Sequence, residues 1–138
     1  MTISIIGASG FLGTRVANAL ARRGHRLLLA DRVAPSAPPP EVASGAHELV
    51  VGELSETLPR VITNDTTAVI SLAAVVSSGA EADFDLGYDV NLLGLRAQLE
   101  RCRALATTPK FAPRRAVALA PWTTVTLRSW RRRSLILT

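Results

Sequence analysis

Hydrophobic positions along this chain fall into short, nearly unbroken apolar runs, separated by stretches where apolar residues recur every three or four positions. Ile3-Ser4-Ile5-Ile6 is such a run, the pattern of a parallel strand buried on both faces. A glycine-rich turn from Gly7 to Gly13 opens a helix, whose Leu12, Val16, Ala19 and Leu20 form one apolar stripe before Gly24 stops it. Residues 26–30, with Leu27, Leu28 and Leu29, predict a second buried strand ending at Asp31. Residues 33–47 predict a loop, because Pro38, Pro39 and Pro40 in a row fit neither a helix nor a central strand. Residues 48–51 and 67–72 predict a third and a fourth strand. The strongest helix is predicted over 84–106, where Leu92, Leu95, Leu99, Cys102 and Ala106 recur at helical spacing and Arg96 can pair with Glu100. Beyond Lys110, residues 116–120 and 124–127 are candidate strands. Short strands alternating with helices predict an α/β fold with a doubly wound parallel sheet.

The length of 138 residues suits one domain. An apolar share of 48% excludes a disordered chain, and no apolar run nears the roughly 18 residues of a membrane span. The N-terminus has neither a basic lead nor a small-residue cleavage site, so no signal peptide is expected. Cys102 is the single cysteine, which fits a reducing cytoplasm. The net charge of +5 changes meaning once it is located. Residues 1–110 hold every acid and are nearly neutral, whereas residues 111–138 hold six arginines, both tryptophans and no acid. The basicity belongs to a tail, and with no nucleic-acid-binding signature in the domain a nucleic-acid partner is not expected.

The chemistry-bearing motif is Gly7-Ala8-Ser9-Gly10-Phe11-Leu12-Gly13, placed between a strand and a helix. The first glycine permits a tight turn, the second lets a pyrophosphate approach the backbone, and the third lets helix and strand pack closely. The helix start at Phe11, Leu12 and Gly13 offers unpaired N–H groups and a positive dipole end, and Ser9 can add a hydroxyl donor. Asp31, at the end of the second strand, stands where a carboxylate accepts from the adenosine ribose hydroxyls. Together these predict a Rossmann dinucleotide site. An acid repels a 2′-phosphate, so NAD is favoured over NADP, the alternative that neighbouring Arg32 keeps open.

These residues resemble the extended short-chain dehydrogenase/reductase family, the NAD-dependent epimerase/dehydratase group. The resemblance covers about residues 1–111. It implies that the backbone of Leu72, Ala73 and Ala74 lines the nicotinamide-ribose side, and that Asn91 in Asn91-Leu92-Leu93-Gly94 supports the active site. It also implies an adenine contact for Glu53 in Gly52-Glu53-Leu54, where the family has a shorter aspartate. The segment 75–88 is similar to the D-erythronate dehydrogenase branch, which oxidises the 2-hydroxyl of a four-carbon sugar acid with NAD. There Ser77 and Ser78 are substrate candidates at the strand end.

Two departures stand out. Ser71 occupies the place of a family histidine. The family's fifth strand, ending in an active-site serine or threonine, and the Tyr-x-x-x-Lys helix after it have no counterpart, since Tyr88 and Lys110 are the only tyrosine and lysine. The expected sheet therefore stops after about four strands, and no catalytic residue is assigned. Arginine outnumbers lysine fifteen to one, as GC-rich coding sequence would give, and such DNA read in another frame yields arginine, alanine, proline and tryptophan. Residues 112–138 are accordingly expected to be a basic tail outside the native family sequence, and residues 1–111 an incomplete NAD-binding portion.

Elsewhere the plain readings prevail. His25 and His47 lack metal-ligand spacing, and no metal is expected. Cys102 reads as core, and Asp83 and Asp85 as favouring a helix dipole. The leading function is the cofactor half of a sugar-acid dehydrogenase. A non-catalytic NAD(P)-binding sensor or scaffold is the alternative, and a homo-oligomer stays open.

Overall fold

Five parallel strands in the order β3-β2-β1-β4-β5 carry the candidate site. The computed structural model describes residues 1–35, 47–75 and 77–113, with only the backbone described at Ser77 and Ser78. Most of the proline loop, the candidate strands at 116–120 and 124–127, and nearly all of the basic tail lie outside the described residues. In chain order the elements are β1 (Thr2–Ile6), α1 (Phe11–Ala21), β2 (Arg26–Asp31), β3 (His47–Val51), α2 (Leu54–Val61), β4 (Thr66–Ser71), α3 (Ser77–Ala82) and α4 (Phe84–Tyr88). A π-helical turn (Asp89–Leu93), α5 (Gly94–Ala104) and β5 (Lys110–Pro113) complete them.

Alternation along β1 splits its side chains between two cores. Ile3 and Ile5 join Leu27, Leu29 and Ala17 of α1 on one face. On the other, Ile6 joins Leu28, Ala30, Val69 and Phe111 beneath Leu58 and Val61 of α2 and Cys102 of α5. Helices thus cover both faces, which is why β1 and β2 are largely apolar on both sides. Ser4, fully buried on the second face, is satisfied by donating to the Val61 carbonyl, with the Thr66 hydroxyl 3.3 Å away. Thr66 also takes the Thr63 N–H at 3.0 Å, so the orphan end of α2 is tied to the middle of the sheet.

Several expectations need correction. The sheet does not stop at four strands: Lys110–Pro113 pairs in parallel with β4, and Phe111 is buried in the core. The boundary drawn at residue 111 therefore falls inside β5. The predicted loop ends one residue early, since His47 begins β3. The stripe on α1 is rotated: Gly13 and Ala17 are buried, and Val16 and Leu20 pack beside them, whereas Leu12 and Ala19 are exposed. Helix α2 had no counterpart in the sequence reading, although Leu54, Leu58 and Val61 carry helical spacing. Pro59 inside it argues against a helix, because it removes one N–H donor.

The single helix expected over 84–106 is broken. Asp89–Leu93 is a π turn, closed by the Gly94 N–H on the Asp89 carbonyl, and its extra residue rotates the stripe. Leu92 is left exposed, and the inward face of α5 becomes Gly94, Gln98 and Cys102, flanked by Leu95 and Leu99. Glu100 pairs with Arg103 at 2.6 Å and not with Arg96. Both partners are partly exposed, so the pair contributes only about 0.2–1 kcal/mol.

Candidate cofactor site

The chain leaves β1, runs out through β2 and β3, and returns to β4 on the other side of β1. Open α/β sheets bind ligands at the carboxyl ends of the strands where the order reverses. Gly7 to Gly13 lies at that edge. Gly7 and Ala8 both donate their N–H groups to the Ala30 carbonyl, at 2.8 and 3.1 Å. Gly7 has φ +83°, and an added Cβ would lie 2.5 Å from the Ala73 nitrogen. At Gly13 a Cβ would lie 2.3 Å from the Gly7 carbonyl oxygen. These two glycines are required by the fold itself. Gly10 is different: its Cβ would meet only the Gly7 oxygen, at 3.6 Å, so the space in front of it is open. Gly10 caps α1 without a side-chain partner, and the first turn carries no acid. The start of an eleven-residue helix, with no side-chain cap and no acid in its own first turn, therefore faces an open glycine cradle. Phe11 is exposed, with the Arg15 guanidinium 3.6 Å above its ring.

Asp31, at the end of β2, turns its carboxylate back to this turn. Oδ2 accepts the Ser9 N–H at 2.8 Å, and Oδ1 faces the Val33 N–H at 3.5 Å. The Ser9 hydroxyl, expected to be available to phosphate, instead donates to the Val33 carbonyl at 2.7 Å. Val33 escaped the sequence reading because it acts through backbone groups, which leave no trace in residue type. Glu53 begins α2 as its N-cap, and its Oε1 sits 3.8 Å from Arg32 Nε. Leu54, the first residue of α2, is drawn into the core.

Beyond β4 the Leu72 and Ala73 N–H groups both bond the Ile6 carbonyl, at 2.8 and 3.0 Å, which seats this strand end against Gly7. Ala74 is exposed. Asn91 holds the next residue twice: its Oδ1 accepts the Val75 N–H and its Nδ2 donates to the Val75 carbonyl, each at 2.9 Å. The π turn thus carries a side chain that fixes the loop leaving β4. Ser71 is buried at the end of that strand. Ser77 and Ser78 open α3 directly after the loop. Asp83 caps α4 by accepting the Leu86 N–H at 2.9 Å, and Tyr88 stacks on Phe84 with ring centroids 6.2 Å apart. The structure therefore brings Gly7 to Gly13, Asp31, Leu72, Ala73 and Asn91 to one edge, with Glu53 joined to it through Arg32.

A family model described as the NAD-dependent epimerase/dehydratase family matches residues 3–118. The chain belongs to that family. NAD, the cofactor expected from the glycine turn and Asp31, is the one the family uses. The D-erythronate dehydrogenase of Cupriavidus necator is 42% identical over 132 residues, covering 86% of this chain and 40% of the relative. That of Haemophilus influenzae is 40% identical over 107 residues, covering 75% and 34%. The chain thus spans well under half the length of these relatives. Among solved structures, a short-chain dehydrogenase/reductase superfamily protein from Agrobacterium tumefaciens with bound NAD superposes with a TM-score of 0.64. It is 29% identical, over 82% of this chain and 32% of that one.

Among the described residues no group of three or more His, Cys, Asp and Glu could hold a metal ion. No described helix is long and apolar enough to cross a membrane. Cys102 is fully buried, and burial pushes its thiol up to about 11. Folding thus favours the neutral thiol, so its contribution to stability is intact below the unfolded value near 8.5–9 and is lost as pH rises toward 11. Thiol labelling at pH 8 should be slow in the folded protein and fast in urea. Rapid labelling of folded protein would place Cys102 outside the core.

Proposed function

We propose that this chain is the NAD-binding half of a dehydrogenase that oxidises the 2-hydroxyl of a sugar acid such as D-erythronate. The observation that carries the proposal is the Asp31 carboxylate, hydrogen-bonded to the Ser9 N–H at the mouth of the glycine turn. An acid there accepts from ribose hydroxyls and repels a 2′-phosphate. The open cradle at Gly10 and the start of α1, which has no side-chain cap, suit the pyrophosphate. Phe11, Leu12 and Gly13 would hold it through their N–H groups, Leu72, Ala73 and Ala74 would line the nicotinamide-ribose side, and Glu53 and Leu54 the adenine side. When bound, NAD supplies the acceptor for the hydrogen that leaves the substrate's 2-carbon with its electron pair. Asn91 fixes Val75 at the entrance to the 75–88 segment, where Ser77 and Ser78 would meet substrate. A lone buried thiol suits a reducing cytoplasm.

Asp31→Asn tests the assignment. Hydrogen bonds to a charged group contribute about 1.5–3 kcal/mol, so NAD should bind roughly 10- to 100-fold more weakly. The gap between NAD and NADP should narrow, because the repulsion of the 2′-phosphate goes with the charge. Calorimetric titration with both cofactors checks this, and an unchanged preference would remove Asp31 from the site.

A second reading, an NAD-binding sensor or scaffold without catalysis, is favoured by the distribution of Tyr88 and Lys110. The only tyrosine lies on α4 and the only lysine opens β5. Saturable binding of D-erythronate to the NAD-loaded chain supports the first reading; NAD binding with no affinity for sugar acids supports this one.

A further inference from the structure

Ser9, Asp31 and Val33 close a ring in which each residue uses two polar groups. The Ser9 N–H donates to Asp31 Oδ2 at 2.8 Å, the Val33 N–H faces Asp31 Oδ1 at 3.5 Å, and the Ser9 hydroxyl donates to the Val33 carbonyl at 2.7 Å. The ring joins the glycine turn to the chain leaving β2, across 22 to 24 positions of sequence. A carboxylate at a strand end has two rotatable bonds, and both its oxygens are fixed here by backbone donors. Lone pairs remain on each oxygen for an outside donor. Arg32, between the two anchored residues, reaches Glu53 at 3.8 Å, with both side chains well exposed. An exposed pair of this kind contributes little on its own. The direction of the Arg32 side chain is therefore set chiefly by the backbone on either side of it.

We infer that Ser9 is a positioning residue for cofactor discrimination: its hydroxyl holds Val33, and through Val33 it aims Asp31 at the ribose and keeps Arg32 turned away from the 2′ position. The inference rests on the proposed NAD site. Ser9 acts through Asp31 and Val33, with its hydroxyl spent inside the protein and not on phosphate. Removing the hydroxyl releases residues 32 and 33, loosens the aim of Asp31 and lets the Arg32 guanidinium meet a 2′-phosphate. Ordinary stabilisation of a turn would affect both cofactors equally, whereas positioning moves their ratio.

The test is titration of NAD and NADP into wild type, Ser9→Ala, Ser9→Thr and Asp31→Asn, with thermal melts of each protein without cofactor. Ser9→Ala keeps the N–H that meets Asp31, so the fold should persist. Its NAD/NADP affinity ratio should fall about fivefold, the scale of one hydrogen bond, and Ser9→Thr should restore it. Equal weakening of both cofactors by Ser9→Ala, or an unchanged ratio, overturns the inference. Asp31→Asn separates the two levels. If it collapses the preference while Ser9→Ala does not, only the role of Ser9 is wrong. If Asp31→Asn leaves the preference untouched, the site assignment itself fails.

Discussion

Gly10→Val is expected to abolish measurable NAD binding while leaving the fold intact. Gly10 has φ −71° and ψ 168°, extended backbone that valine adopts without strain. Its Cβ would meet only the Gly7 oxygen, at 3.6 Å, which is ordinary contact. The free protein should therefore melt close to wild type. In the complex, two extra methyls would stand in front of the α1 amides where the pyrophosphate must come. A steric conflict of about 1–3 kcal/mol, added to the loss of close backbone approach, corresponds to roughly a 100-fold weakening or more. Gly13→Ala is the informative contrast, because its Cβ would be forced to 2.3 Å from the Gly7 carbonyl oxygen. That variant should lose stability before cofactor enters the question. Circular dichroism melts with calorimetric titration of NAD separate the two. A folded Gly10→Val protein with wild-type affinity would mean that the phosphates lie elsewhere.

The legible parts of this chain were those fixed by local pattern. β1 and β2 are apolar on both faces because helices cover both sides of the sheet, so their runs stood out. The turn between them was readable because Gly7 and Gly13 have no room for a Cβ. Other features depended on contacts the sequence does not display. Helix α2 carries Leu54, Leu58 and Val61 at the right spacing, but Pro59 outweighed them. In the structure α2 is held at its far end by Ser4 and Thr66, partners that lie 57 and 5 residues from Val61. The π turn was hidden because a single extra residue leaves spacing in the sequence unchanged and alters only which side faces inward. β5 was missed because just four residues pair, with Phe111 alone deeply buried. At the site, Asp31 and Asn91 were identifiable by type, whereas Val33 and Val75, the backbone groups they engage, were not.

The 138-residue chain is expected to form NADH from NAD and D-erythronate no faster than background, even where it binds NAD. Oxidising a secondary alcohol requires a base within hydrogen-bond reach of the hydroxyl, and that proton transfer alone contributes about 10²–10⁴-fold. A phenol serves near neutral pH only beside a cation that favours its ionised form. Tyr88 instead stacks on Phe84 in α4, and Lys110 opens β5 in register with Ala68. That register puts Lys110 at the amino end of the strand, across the sheet from the carboxyl edge that holds Gly7, Asp31 and Ala73. Asn91 has both amide atoms committed to Val75, and Ser71 is buried. Residues 114–138 add no Tyr, Lys, His, Asp, Glu or Cys from which a base could be drawn. The fifth strand completes more of the sheet than the sequence suggested, yet the one titratable side chain on it, Lys110, lies at the end away from the cofactor edge. Steady-state assays of wild type against Asp31→Asn provide the check. Saturable turnover that depends on Asp31 would overturn the expectation, and would mean that a group of this chain other than Tyr88 or Lys110 takes the hydroxyl proton.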